Sequence, residues 1–141
     1  MRYVNVFAVV ALSIVLAGCD VLGKQNSTTL PGTDTAIVGL YVDKNGYPQS
    51  QVEKVTVYPG QRVVFAGPNQ FDILFKDEKS PIGRLEVPST NGIVVIDVPA
   101  DIFERDQRES KAGETKKEIR YRYGIRVDGK VTDPEIVIAR R

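Results

Sequence analysis

The sequence predicts an all-β sandwich of about eight short strands. Three observations lead there. Apolar residues recur at every second position in "KVTVY", "FDILF" and "IRYRYGIRV". Pro/Gly/Asn clusters ("NGYP", "PG", "GPNQ", "SPIG") punctuate the stretches between them. Helical periodicity has a foothold in one charged segment only.

The elements follow in order. Residues 37–42, "IVGLYV", form a short apolar strand, and "NGYP" behind it is turn chemistry. Over 52–58, Val55 and Val57 share one face, Lys54 and Thr56 the other. Pro59 and Gly60 turn the chain. Residues 62–66 and 71–75 flank "GPNQ" as a hairpin, with Phe71, Ile73 and Phe75 on one face. "SPIG" is a further turn. "IVVIDV", 93–98, is nearly all β-branched and apolar, which predicts a central strand covered on both sides. Within it Asp97 is expected at the strand end, facing out or paired with an arginine. The charged stretch 99–117 has Ile102 and Phe103 near its start and predicts a short helix over 101–111, ended near Gly113. Residues 119–127 put Ile119, Tyr121, Tyr123, Ile125 and Val127 on one face and Arg120, Arg122 and Arg126 on the other. The tyrosine rings belong to the core, with their hydroxyls finding partners at its rim. "EIVIA", 135–139, is the last strand.

The first residues have a different character. Arg2 precedes an apolar run over 4–16, broken by Asn5 and Ser13 and shorter than the ~20 residues of a membrane span. The run ends in "LAGC", residues 16–19. Charge, apolar run, small residues and cysteine in that order resemble the lipobox of bacterial lipoprotein signals. The resemblance implies a signal peptide over 1–18 and Cys19 carrying a diacylglyceryl group and an acylated amine. Cys19 is the single cysteine, so no internal disulfide forms. Two or more acyl chains anchor firmly, at about 0.8 kcal/mol per buried CH₂. Residues 19–36 are polar and read as the attachment site and a flexible tether, with a span of ~20–25 Å. The folded domain is expected over 37–141. The implied location is the cell envelope, facing the periplasm, and Asp20 after the cysteine resembles an inner-membrane retention signal.

The chain carries 19 basic and 18 acidic residues, and loss of 1–18 removes Arg2 alone. A neutral domain exerts no broad pull on nucleic acid, so none is expected as partner.

From Tyr41 onward, "PGQRVVF", "FDILFKDEKSPI" and "YRYGIRVDGKVTDPEIVI" are similar to cupredoxin-like domains, which implies a Greek-key sandwich. The copper-carrying members hold their metal with two His, one Cys and an axial Met. The present chain has no His, one Cys and one Met, Met1. None of the family's ligand positions carries over, and no cofactor is expected.

Other chemistry is equally thin. A serine nucleophile lacks a histidine base, and Lys79 beside Ser80 would point away from it. Zinc prefers Cys and His. Asp72, Asp77, Glu78, Asp97, Asp101 and Glu104 form a carboxylate pool without the spacing of a calcium loop or a catalytic pair. No enzyme activity is expected.

Three features suit binding. The row Arg120, Arg122, Arg126, with alternate residues ~6.6–7 Å apart, could meet an acidic partner by bidentate contacts. Pairing with Glu118 or Glu135 across strands is the plainer account. Segment 101–117, with Lys111 and Lys116, resembles a partner-facing loop. Phe71, Pro81 and Ile82 could form an apolar patch, or simply cap the core. The expected function is a membrane-anchored binding or scaffolding module with a protein partner in the envelope. The alternative is a carrier or sensor of a small ligand or metal ion, using carboxylates and loop backbone.

Overall fold

A computed structural model describes residues 27–28, 34–110 and 115–140. The described residues form eleven strands and one helix: β1 (Ser27–Thr28), β2 (Thr35–Val42), β3 (Pro48–Ser50), β4 (Lys54–Val57), β5 (Arg62–Ala66), β6 (Asp72–Phe75), β7 (Glu86–Pro88), β8 (Ile93–Asp97), α1 (Ile102–Glu109), β9 (Glu118–Val127), β10 (Lys130–Thr132) and β11 (Glu135–Ala139).

The strands form two sheets. The larger runs β1-β4-β11-β9-β6-β7, with β10 also on β9, and the smaller runs β3-β2-β5-β8. Both are mixed: β2 lies parallel to β5 and β11 parallel to β4, while the other pairs in the path beyond β1 are antiparallel. The chain changes sheet between β3 and β4. Gln51 N–H still bonds the Gly39 carbonyl of the small sheet, and the Glu53 carbonyl already accepts from Glu135 N–H of the large one.

Alternation in the sequence becomes the core between the sheets. Val38, Val63, Phe65, Val94 and Ile96 project from the small sheet, and Val55, Val57, Ile73, Tyr123, Ile125, Ile136 and Ile138 from the large. The rings of Phe65 and Tyr123 meet edge to face, with centroids 5.2 Å apart. Hydrophobic burial of this kind contributes about 1.5–3 kcal/mol per large side chain and stands in for disulfides.

Turns fall where Gly and Asn place them. Asp43 Oδ1 accepts from the N–H groups of Asn45 and Tyr47, and Gly46 turns the chain at φ 79. Asn91-Gly92 and Asp128-Gly129 have positive φ at both residues, as tight hairpin turns require.

Three sequence expectations need correcting. The helix is shorter than 101–111, because only Ile102 and Phe103 are buried to hold it, and Ser110 is already extended. Strands β1, β3, β7 and β10 were not foreseen, β1 lying within the expected tether; each has two or three residues, too few to show a period. Most importantly, β8 is an edge strand, not a central one. It alternates exposed and buried, and Ile93 and Val95 face solvent at 41% and 44% exposure. A run of apolar residues announces two covered faces, but here the described chain covers only one.

Candidate functional site

The outer face of the large sheet carries the arginine row, and the fold answers each guanidinium with carboxylates. Arg120 donates to Glu118 and reaches Glu135. Arg122 forms a two-point contact with Asp77, Nε to Oδ2 at 2.8 Å and Nη2 to Oδ1 at 2.6 Å. Arg126 bonds Asp72, Nε to Oδ2 at 2.9 Å, and also Glu86. Register explains the last set: Arg126 faces Asp72 across β9 and β6, and β7 brings Glu86 alongside. Hydrogen bonding to Arg122 holds the Asp77 carboxyl below the usual carboxylate range, despite opposing desolvation. The three guanidiniums are in turn pushed up by their carboxylate partners, chiefly Glu118, Asp77 and Asp72 respectively. The row is a lattice of ion pairs rather than a bare cationic strip.

Sharing Arg122 and Glu135 with it is a cleft of about 480 Å³, lined also by Gln49, Ser50, Glu53, Lys76 and Asp133 among others. Lys76 pairs with Asp133 across its mouth. Behind it lies Tyr123, whose buried hydroxyl has no hydrogen-bond partner. Burial raises its pKa, and Ser50 approaches closely enough to oppose this without reaching hydrogen-bonding geometry.

The remaining candidates are dispersed. Lys116 is engaged with Asp106 of α1 at 2.8 Å and with Ser110. Lys111 and Cys19 lie outside the described residues. Phe71 is 3% exposed and belongs to the core, so it offers no contact surface. Pro81 is buried and Ile82 packs half-buried against the core. Asp97 pairs outward with Arg62 at 2.7 Å.

Sequence reading missed one surface. On the outer face of the small sheet, register aligns Ile37 of β2 with Val64 of β5 and Val95 of β8, and Gly39 with Ala66 and Ile93. Ile37 is 68% exposed. The apolar residues at alternate positions in "IVGLYV" and "IVVIDV" were its signal.

The copper carried by cupredoxins finds no fitting donors among the described residues. Beyond the missing imidazoles, the segment 128–133 between β9 and β11, which includes β10, offers the carboxylates of Asp128 and Asp133, and Asp133 is held by Lys76. Among the described residues no three Cys, Asp or Glu side chains gather as a metal-binding group.

No known family profile matches the chain, and no curated protein matches it. Among solved structures it is similar to a copper-containing nitrite reductase from Thermus scotoductus SA-01, at 12% identity and a TM-score of 0.46, over 75% of this chain and 23% of the reductase. It is also similar to a copper-binding protein solved in solution in its apo form, at 10% identity and a TM-score of 0.42, over 82% of this chain and 99% of that one. The chain thus spans under a quarter of the reductase. Its own two mixed sheets form a β-sandwich.

Proposed function

We propose that this chain is a lipid-anchored lipoprotein of the bacterial envelope whose copper-free domain works as a binding or scaffolding module. One observation carries the binding part: the outward side of the small sheet is apolar and open, centred on Ile37, Val64 and Val95. A solvated sheet face normally alternates to polar residues, and an open apolar patch marks a contact site. The ion-paired arginines make poorer anchors, because a partner would first have to displace their carboxylates. The anchoring part rests on "LAGC" and Cys19.

Cys19→Ala tests the anchor. The variant is expected in the soluble periplasmic fraction, and retention in membranes would reject lipidation. A second reading, a small-ligand carrier, is favoured only by the polar cleft beside Lys76 and Asp133. Titration with divalent cations checks it, and heat absent at neutral pH would remove the cation version.

A further inference from the structure

We infer that the outer face of the small sheet is covered by a second copy of this chain. The inference deepens the binding reading above by naming the partner.

The face has the anatomy of a contact, an apolar centre and a polar border. Ile37, Val64 and Val95 form its central row, flanked by Ala66 and Ile93. At one end the next row is Thr35, Arg62 and Asp97. At the β3 side the Gln51 amide lies across Gly39, so close that a Cβ there would sit 2.4 Å from it.

Charge decides among occupants. A patch made for an anionic bilayer carries unpaired Lys and Arg around its apolar centre. Here the cation in the three rows is Arg62, already joined to Asp97 at 2.7 Å. These three rows therefore hold one charge of each sign. An isologous contact sets a patch against itself, so any excess charge would repel its own copy. These rows bring none, and a two-fold axis lets each Arg62 also approach the other copy's Asp97. Aligned sheet-on-sheet packing would set the two faces ~10 Å apart.

Size sets the strength. An apolar centre of five residues, Ile37, Val64, Val95, Ala66 and Ile93, falls short of the roughly 20–30 residues a side of a standard interface. The contact is weak in dilute solution and forms under confinement, where tethering raises the effective concentration.

The test uses the full chain in membranes of a bacterial host, with two differently tagged copies. A photo-crosslinking benzophenone amino acid replaces Ile37, Val64 or Val95 in turn, and Arg84 as control. The expected result is a crosslinked species carrying both tags from at least one face position and none from position 84. Val64→Lys in both copies, with the probe at position 37 or 95, should abolish it; Val64→Lys in one copy with Val64→Glu in the other should restore it. Ile37→Lys, at a more exposed site, should also weaken it without disturbing the fold. Capture of a different protein alone would overturn the second copy while leaving the binding reading standing. Capture of lipid alone, or of nothing, at all three positions would overturn both. Equal crosslinking from position 84 would also overturn the inference.

Discussion

Arg122 on β9 and Asp77, in the turn after β6, are joined by two hydrogen bonds of 2.8 and 2.6 Å across 45 residues of chain. Asp77 and its neighbour Glu78 both have left-handed backbone, at φ 58 and 55, which side chains with a Cβ adopt at a cost. The guanidinium therefore helps hold a turn that local preference disfavours. Because the folded-state pKa of Asp77 lies below its ordinary value, its contribution is present above the unfolded value of about 3.9 and is lost as pH falls through the folded one. Asp77→Asn should lower the neutral plateau slightly and flatten the acid limb by the same amount, so that the two stability-against-pH curves meet at low pH. Arg122→Ala should do the same, and the double variant should add nothing further. An unchanged acid limb in Asp77→Asn would dismiss the linkage.

The buried hydroxyl of Tyr123 gives a second prediction. A buried donor without a partner costs about 1–3 kcal/mol, and Tyr123→Phe removes it while keeping the ring against Phe65. Urea unfolding should show Tyr123→Phe between unchanged and about 1 kcal/mol more stable. A loss above about 1 kcal/mol would mean that the hydroxyl has a partner in solution, such as a buried water.

Much of the fold was legible because alternation is local. Val55 and Val57, Phe71 to Phe75, and Ile119 to Val127 all announced their inward faces, and Asp97 its outward position. What failed was the part decided at long range. Arg126 meets Asp72 and Glu86 from 54 and 40 residues away, so no spacing in the sequence pairs them; only the register of β6, β7 and β9 does. "IVVIDV" failed for another reason. Burial on the second side of a strand is a property of its surroundings, and the apolar residues Ile93 and Val95 look the same whether their cover comes from this chain or another.

Gly92 and Gly129 separate backbone strain from close contact. Both sit at positive φ, 74 and 78. A Cβ at Gly129 would meet nothing within 4 Å, whereas at Gly92 it would lie 2.8 Å from the Gly67 carbonyl oxygen and 3.1 Å from that of Pro68. Gly129→Ala should cost about 1 kcal/mol, the left-handed penalty alone. Gly92→Ala should cost more, about 2–3 kcal/mol, because backbone must move. Equal denaturation midpoints for the two would show that the loop at Gly67 yields freely.

Tyr121 ties the core to the helix and predicts behaviour at high pH. Burial pushes its phenol up to about 12, and the nearby charges of Asp106 and Glu109 add to this. A raised folded-state pKa stabilises the fold fully below the unfolded value of about 10, and that contribution is lost as pH rises through about 12. Tyrosinate absorbance should show a phenol, absent from Tyr121→Phe, titrating at about 12 rather than at the ordinary value of about 10. Tyr121→Phe should shift the onset of alkaline unfolding upward, because the ionisation that drives it is gone. Asp106→Asn should lower the phenol's pKa and also release Lys116, loosening the junction of α1 with the chain that follows. If Tyr121 instead titrates at the ordinary phenol value of about 10, its ring is not packed under the helix in solution.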